Sequence, residues 1–426
     1  MQSKWMAATG CVAVALAVGV TACGSSDNSG SSSGGGGSSS SSPAKTLTVY
    51  SSLPLSSASR AQAEAINNGA KLALEQVGGK VGNFKVTFTP LDDSTAQAGS
   101  WTPDQESANA RKAAQDSSTA FYLGPFNSGA AAVSIPILNQ AGVAMISPAN
   151  TAVGLTTNQP GSSPGEPDKY YPAGTRNYTR IVPKDTIQGA ALVALMKQEG
   201  CTKVFGTNDK EVYGAGLGRN VQLAAKTAGL TMLADEGIDR TAANYRSLAQ
   251  KAKAAGADCF LFTGITDNNA VQLFKDFAAA LPNAKMYGPD GICESGFADP
   301  KSGGIPLSLD SRVKCTVATL APSEYPPAGQ EFFKRYTAKY GVDNPDPYAI
   351  YGYEAMSLGL DAIKRSKTGD KADIIKALFA TKDRQSVLGT YSIDQNGDTS
   401  LTDYGVYAIK NGQLAFDETI KANATS

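Results

Sequence analysis

An alternation of short apolar segments with longer helical segments begins at Lys45 and restricts the fold more than any other feature of the sequence. The first series has strand-like segments at 46–51, 84–90, 120–124 and 143–147, separated by helix-like segments. Strands that alternate with helices of this length form parallel sheets covered by helices on both faces. The series therefore predicts one α/β lobe.

A second series of the same kind begins near Asp185. Its predicted strands lie at 203–208, 230–237, 259–264, 285–290 and 313–320. Right-handed crossovers place the carboxyl ends of the strands in each lobe at one edge of the sheet. We therefore predict an α/β fold with two doubly wound parallel-sheet lobes and a ligand cleft between their facing edges.

The end of the chain complicates a simple two-lobe arrangement. Two amphipathic helices are predicted at 326–340 and 348–364, and a hairpin is predicted from 391–400 into 404–412. These are more helices than the second lobe needs, so the chain is expected to return to the first lobe and then re-enter the second. Several crossings of this kind would form a multi-segment hinge. The predicted domains are 45–184 plus 325–389 for lobe 1 and 185–324 plus 390–420 for lobe 2.

The first 23 residues indicate a lipoprotein signal peptide. Lys4 is followed by an apolar stretch that is too short to span a membrane. The stretch ends in Val-Thr-Ala before Cys23, which resembles a bacterial lipobox; the alternative is an ordinary secretory signal. Residues 24–44 are rich in serine and glycine and predict a flexible linker. We therefore expect lipidation at Cys23 and attachment to the outer face of the cytoplasmic membrane.

The composition excludes several classes of function. The sequence contains no histidine, which rules out a Ser-His-Asp triad, a Cys-His pair and the usual histidine-rich metal sites. Its formal net charge is zero, so it lacks the basic character expected of a nucleic-acid-binding protein. We predict that the protein is not an enzyme and that it needs neither a metal nor another cofactor. An amidase with a mechanism that does not use histidine is a minor alternative.

Four cysteines remain after Cys11 of the signal peptide and Cys23 are set aside. An even number in an exported protein favours disulfides, and four cysteines allow three pairings. Cys201 and Cys259 each begin an apolar strand and could lie at the same end of neighbouring strands. This favours Cys201–Cys259 and leaves Cys293–Cys315 as the second pair. A metal site is the competing interpretation, but no pair has the C-x-x-C spacing.

Two turns close together in the sequence predict the ligand site. Each of the segments 121–133 and 143–153 runs from an apolar strand through small, turn-prone residues into a helix. Ligands of open α/β sheets bind beyond the carboxyl ends of the strands, and Gly124, Ser128, Ala149 and Thr151 lie there. Small residues let backbone N–H groups approach a ligand, and a helix N-terminus favours negative charge. We predict that these turns hold the carboxylate of a small molecule, although Ser128 could instead cap its helix and Thr151 could instead stabilise its turn.

Five short segments together carry a resemblance to a known family. They are GPFNS, SPANT, EVYGAG, YGPDG and DPYAIYGYEAM, in this order. The sequence from about 45 to 415 is similar to the type I periplasmic binding proteins of the branched-chain amino-acid and amide class. These proteins are the substrate-binding components of ABC importers. The resemblance implies a small-molecule ligand and an ABC permease as partners, and a monomer is the default for a tethered carrier.

The resemblance also implies roles for individual residues. In that family a serine and a small-residue turn hold the ligand carboxylate, which here match Ser128, Ala149 and Thr151. An acidic residue that meets the ligand ammonium matches Asp290. A tyrosine that packs on the ligand when the cleft closes matches Tyr213, an aromatic residue near the hinge matches Tyr348, and Asn150 lies between two of the matched positions.

Two positions depart from the family pattern. Ile265 stands where an aromatic residue is expected, and Arg60 lies near the expected place of a tyrosine. Arg60 is interpreted as a solvated surface charge. The resemblance therefore implies recognition of an amino acid or amide without specifying its side chain. A ligand-sensing receptor subunit of the same fold is the alternative function.

Two further strings resemble other sites and are rejected. The glycines 214, 216 and 218 do not have the spacing of a dinucleotide fingerprint. The segment 394–398 lacks the distal glutamate of a calcium loop, and Asn-Gly favours a hairpin instead.

Overall fold

Two separate sheets organise residues 45–422, the part of the chain that the computed structural model describes. The predicted signal peptide, Cys23 and the linker at 24–44 lie outside these described residues. The strands of the first sheet region are β1 (Lys45–Leu53), β2 (Lys80–Val81), β3 (Phe84–Asp92), β4 (Ser94–Thr95), β5 (Ser100–Trp101), β6 (Thr119–Leu123), β7 (Ala144–Ser147) and β8 (Tyr178–Arg180). The later strands are β9 (Lys203–Asn208), β10 (Thr231–Gly237), β11 (Cys259–Thr263), β12 (Lys285–Gly288), β13 (Val313–Val317), β14 (Arg384–Ser386), β15 (Gly389–Tyr391), β16 (Asp403–Lys410) and β17 (Gln413–Lys421).

The two sheets define two lobes. Lobe 1 is built on the sheet with the order β2-β3-β1-β6-β7-β8, which is parallel except for the short β2. Lobe 2 is built on the sheet with the order β10-β9-β11-β12-β13-β16-β17, in which β16 and β17 are antiparallel. Central strands such as β6 and β11 are buried along their whole length, as expected for strands covered on both faces. The α/β fold class predicted from the alternation is confirmed.

Helices cover both sheets. They are α1 (Arg60–Gln76), α2 (Pro103–Gln115), α3 (Ser128–Gln140), α4 (Asp185–Gln198), α5 (Val212–Ala228), α6 (Arg246–Ala254), α7 (Ala270–Ala280), α8 (Ser295–Ala298), α9 (Pro327–Tyr340), α10 (Ala349–Ser366) and α11 (Lys371–Phe379). Local sequence explains several boundaries. The side chain of Thr102 accepts a hydrogen bond from the backbone N–H of Gln105 and caps α2, and α5 ends at Gly229 with φ +69°.

The chain crosses between the lobes three times: between β8 and α4, between β13 and α9, and before β16. The return to lobe 1 is fixed by the packing of α10 against α1. A Cβ atom at Gly69 would collide with the carbonyl oxygen of Ala349, and one at Gly352 would collide with that of Ile66. Glycine at both positions therefore permits the close approach of the two helices. The boundaries given above for lobe 1 (45–184 plus 325–389) and lobe 2 (185–324 plus 390–420) stay predictions.

The structure corrects three local predictions. The hairpin forms between β16 and β17 across Asn411 and Gly412, not between 391–400 and 404–412. The Asn396–Gly397 turn is closed only by the single bridge between Ile393 and Thr399. β8 was missed because three residues carry too little periodicity to stand out.

The third correction concerns 154–176, which was predicted to be a surface excursion. Tyr170 and Tyr171 of this segment are buried. The hydroxyl of Tyr171 donates to the carbonyl of Leu155 at 2.7 Å, and that of Tyr170 donates to Glu166 at 2.7 Å. Both tyrosines also belong to a buried hydrophobic cluster with Leu138 and Val143 of lobe 1, and this packing fixes the segment to that lobe.

Both predicted disulfides form. Cys201–Cys259 joins residues at the start of the paired strands β9 and β11, with a Cα–Cα distance of 5.8 Å. Cys293–Cys315 has a Cα–Cα distance of 5.5 Å. Within 45–422, no helix is both long enough and apolar enough to cross a bilayer.

Replacing both Cys293 and Cys315 with serine should lower the free energy of unfolding by about 3 kcal/mol, because the bond closes a loop whose ends are 22 residues apart. Urea denaturation of the double variant and the wild type measures the difference. The wild type in a reducing agent should lose at least as much stability. A loss below about 1 kcal/mol would show that this bond does not constrain the unfolded chain as expected.

Candidate ligand-binding site

A small cavity lies between the two lobes at the carboxyl ends of their strands. Its volume is about 20 Å³, measured as the space open to the centre of a water molecule, which is about the minimum for one water. The lobes are thus nearly closed on each other. The cavity is lined by Phe126, Asn127, Ser128, Ala149 and Thr151 from lobe 1 and by Tyr213, Ile265, Asp290 and Gly291 from lobe 2.

The lobe 1 wall consists of the two turns that the sequence analysis singled out. Ser128 begins α3, whose N-terminus carries a partial positive charge. The Ser128 hydroxyl accepts a hydrogen bond from the backbone N–H of Ala152 at 3.3 Å. The Thr151 hydroxyl is buried and has no hydrogen-bond partner among the described residues. This wall therefore offers a helix terminus and a hydroxyl suited to an anionic group.

Asn150 faces away from the cavity. Its side-chain amide donates to the carbonyl of Phe126 at 2.7 Å, and its side-chain oxygen accepts from the hydroxyl of Tyr178 at 3.2 Å. The residue ties the two turns of lobe 1 together. Arg60 does not line the cavity either; it is exposed and pairs with Glu64 at 2.7 Å.

The lobe 2 wall presents a buried carboxylate. The hydroxyl of Tyr213 donates to Asp290 Oδ1 at 2.5 Å, and the hydroxyl of Tyr348 donates to Asp290 Oδ2 at 2.6 Å. Burial raises the pKa of Asp290 above its ordinary value, although the two hydroxyls stabilise its charged form. Tyr213 belongs to α5, whereas Tyr348 directly precedes α10. The three predicted residues therefore meet, although Tyr348 contacts Asp290 from behind the cavity wall.

A second buried carboxyl group, Asp185, lies close to the first and was missed by the sequence analysis. It begins α4, and its backbone N–H donates to the carbonyl of Thr151 at 2.9 Å. Neither carboxyl oxygen has a hydrogen-bond partner among the described residues. Burial, followed by the charge of Asp290, raises its pKa well above the ordinary value. An aspartate in a first helical turn is an ordinary helix-start signal, so nothing in the sequence marked it.

A buried arginine fixes the ligand-facing turn of lobe 1. Arg180 Nη1 donates to the carbonyls of Asn150 and Ala152 at 3.2 and 2.8 Å. Its Nε pairs with Asp398 Oδ1 at 2.7 Å, and Lys184 pairs with the other carboxylate oxygen at 3.0 Å. The sequence analysis missed this network. Asp398 belongs to the segment rejected as a calcium loop, and here its role is to neutralise Arg180.

Direct contacts hold the two lobes together around the cavity. The backbone N–H of Ser59, in lobe 1, donates to Asp267 of lobe 2 at 3.1 Å, and its hydroxyl donates to Glu294 of lobe 2 at 2.8 Å. At the other side, Arg219 of α5 donates to the carbonyl of Gly161 at 2.7 Å. The described arrangement is therefore a closed one.

Comparison with known proteins agrees with this architecture. A family described as periplasmic binding protein matches residues 48–413, and the chain belongs to this family of solute-binding proteins. A Leu/Ile/Val-binding protein homolog of Brucella melitensis is 24% identical over 84% of this chain and 89% of its own length. The leucine-, isoleucine-, valine-, threonine-, and alanine-binding protein of Pseudomonas aeruginosa is 24% identical over 85% of this chain and 90% of its own length.

Solved structures show the same fold. The leucine-binding protein LivK from Thermotoga maritima has a TM-score of 0.75 at 21% identity, covering 88% of this chain and 99% of its own. A solute-binding protein of an ABC transporter from R. palustris, in complex with benzoate, has a TM-score of 0.71 at 21% identity, covering 89% of this chain and 98% of its own. These relatives are named as binding proteins rather than enzymes, in agreement with the prediction of a non-enzymatic role.

Proposed function

We propose that the protein is a lipid-anchored, extracytoplasmic and monomeric solute-binding protein that captures an amino acid, or a related amide, for an ABC importer. The observation that carries the proposal is that a negatively charged side chain and a set of hydrogen-bond donors face each other across one cavity. Asp290 of lobe 2 faces the hydroxyl groups and helix terminus of lobe 1. A zwitterion can contact Asp290 and the lobe 1 donors together only when the lobes are closed. Binding therefore stabilises the closed form through contacts with both lobes.

The chemistry of the lobe 2 wall favours a ligand with an amine. Relatives of this chain are named for binding amino acids, and related structures contain leucine, isoleucine, benzoate or p-hydroxybenzoate. A carboxylate is common to all of these ligands, whereas only the amino acids carry an ammonium group. Asp290 is a buried carboxylate opposite the place of the ligand carboxylate, and it would repel a ligand that carries only negative charge. Asp290 therefore supports an amino acid over an aromatic acid.

The location and the partner are part of the proposal. The lipobox-like sequence before Cys23 and the serine- and glycine-rich linker support an anchor on the outer face of the membrane. Membership of the periplasmic binding protein family supports an ABC permease as the partner. An anchor of this kind would keep the carrier near that permease.

The test uses thermal shift with each of the twenty common amino acids. The best ligand is then compared with its deaminated and its decarboxylated analogues. At 100 times its dissociation constant, the whole zwitterion should stabilise the protein by about 2.7 kcal/mol, and each analogue should stabilise it far less. Small-angle scattering should show a more compact protein with the zwitterion. Equal stabilisation by the deaminated analogue would contradict the assignment of Asp290 to the amine.

A further inference from the structure

Where the two lobes touch, four acidic side chains that do not line the cavity are each close enough to another of the set for its charge to influence the pKa of that neighbour; we call them the acidic recess. Asp93 follows β3 and Glu106 lies on α2, both in lobe 1, whereas Asp267 and Glu294 belong to lobe 2. Asp93 and Glu106 are fully buried, Glu294 is 1% exposed, and Asp267 is partly buried. The recess is therefore assembled from both lobes.

Several oxygens of the recess lack any partner. Both carboxylate oxygens of Asp93, Oδ2 of Asp267 and Oε2 of Glu294 make no hydrogen bond within the described part of the chain. None of the four side chains forms an ion pair with a lysine or arginine of that part. Burial, then the charges of Glu106, Asp92 and Asp267, raises the pKa of Asp93 well above its ordinary value. Without a partner an ionised carboxyl group at such a depth is costly, so burial favours the neutral acid here, and a cation bound beside it would favour the charged form.

Two members of the recess lie close in the chain to residues that line the cavity. Ile265 lines the cavity and Asp267 lies two residues further along the chain; Gly291 lines it and Glu294 lies three residues further. Two to three residues span at most about 7 to 11 Å. A ligand held at Asp290 by its α-ammonium could therefore extend a side chain of the length of lysine or arginine to the recess.

The spread of the four acids favours an organic cation over a metal ion. Among the described residues, the only group of three candidate ligand atoms lying within 4.8 Å of one another is Cys201, Asp258 and Cys259. The two cysteines of that group are joined in a disulfide. The recess therefore offers no set of three oxygens close enough together to surround a metal ion, whereas a guanidinium group has donors on three nitrogen atoms and can reach oxygens that lie further apart.

We propose that the acidic recess is a second cation subsite and that the ligand is a basic amino acid, or a close relative with an amine or guanidine at its far end. The proposal rests on the proposed function, because it assumes that the α-amino acid group binds between Asp290 and the turns of lobe 1. The recess would select ligands with a cationic side chain, whereas Asp290 alone selects only for the α-amine.

Isothermal titration with two matched ligand pairs tests the proposal. L-lysine is compared with L-norleucine, which lacks the terminal amine, and L-arginine with L-citrulline, which is neutral. In the wild type, at least one charged member should bind tenfold or more tightly than its neutral partner, about 1.4 kcal/mol. Neutral partners that bind as tightly as lysine and arginine, or more tightly, would overturn the proposal and leave the proposed function intact. Failure of every amino acid to bind would overturn both.

Variants of the recess test whether its carboxyl groups cause the preference for charged ligands. Asp93→Asn and Asp267→Asn keep the shape of each side chain, and each should reduce the preference for the charged ligand by about tenfold or more. Norleucine binding should change little in Asp93→Asn. Asp370→Asn is the control, because within the described residues this exposed carboxylate forms an ion pair only with exposed Lys45. Circular dichroism checks that the variants fold. An unchanged preference in both recess variants would refute the assignment.

Discussion

Replacing Asp290 with asparagine should weaken the binding of the amino-acid ligand by about 100-fold or more. The substitution keeps the shape of the side chain but removes the charge that faces the ligand ammonium. Removing one partner of a buried charge pair costs about 3–5 kcal/mol. Tyr213 and Tyr348 remain as donors, but hydroxyl groups cannot replace the lost negative charge. Isothermal titration of wild type and variant with the best ligand measures the effect.

Two controls separate this effect from general damage. Asp235→Asn changes a carboxylate at the end of β10 that bonds to Asn208 at 2.9 Å and does not line the cavity. It should leave the affinity within about threefold. The deaminated analogue of the ligand should bind Asp290→Asn no worse than it binds the wild type. Retention of wild-type affinity for the amino acid by Asp290→Asn would show that the amine binds elsewhere.

Replacing Asp398 with asparagine should lower the free energy of unfolding by about 3–5 kcal/mol, because it leaves a buried guanidinium without its counter-charge. Arg180 is fully buried, and Asp398 is the carboxylate that pairs with it. Urea denaturation near pH 7 measures the loss. Ligand affinity should fall as well, since Arg180 holds the carbonyls of Asn150 and Ala152 beside the lobe 1 wall.

The stabilisation that Asp398 provides should be lost at low pH. Burial alone would raise the pKa of Asp398, but the charges of Arg180 and Lys184 outweigh it and hold the pKa below its ordinary value. A carboxyl group whose folded-state pKa is depressed stabilises the fold above its unfolded pKa, about 3.9, and loses this effect as the pH falls further. The difference between wild type and Asp398→Asn should therefore shrink below about pH 4.

An exposed pair provides the comparison for this variant. Glu331 and Arg335 lie four residues apart on α9 at 2.8 Å, and both are about half exposed. Glu331→Gln should leave the free energy of unfolding almost unchanged, because water and salt screen an exposed pair. Equal losses from Glu331→Gln and Asp398→Asn would refute the special role given to the buried pair.

The sequence was informative wherever chemistry follows local pattern. The alternation of strands and helices predicted both sheets, and small residues at strand ends predicted the wall formed by Ser128, Ala149 and Thr151. The pairing of Cys201 with Cys259 followed from two cysteines at the same end of adjacent strands. The predictions of the sheets and of the disulfide succeeded because strand ends of one parallel sheet meet at one edge. The ligand-binding roles of Ser128, Ala149 and Thr151, which line the cavity, stay predictions.

What the sequence did not reveal depends on contacts between distant segments. Arg180 and Asp398 are 218 residues apart, and no periodicity links them. The two Asn-Gly pairs near the end of the chain look alike, yet only Asn411–Gly412 joins two long strands. Asp93 and Asp185 follow common loop and helix-start patterns. Only the three-dimensional fold shows that their carboxyl oxygens are buried with no hydrogen-bond partner in the part of the chain from 45 to 422.

The division of the acidic recess between the lobes has a consequence for timing in transport. In the closed arrangement the charge of Asp267 in lobe 2 helps to raise the pKa of Asp93 in lobe 1, so closure with both groups ionised is unfavourable. Without a cation, closure should therefore be accompanied by proton uptake at Asp93, whereas a bound cation would allow the lobes to close with the carboxyl group ionised. An ABC permease that docks only with the closed conformation would then meet mainly protein with a ligand bound.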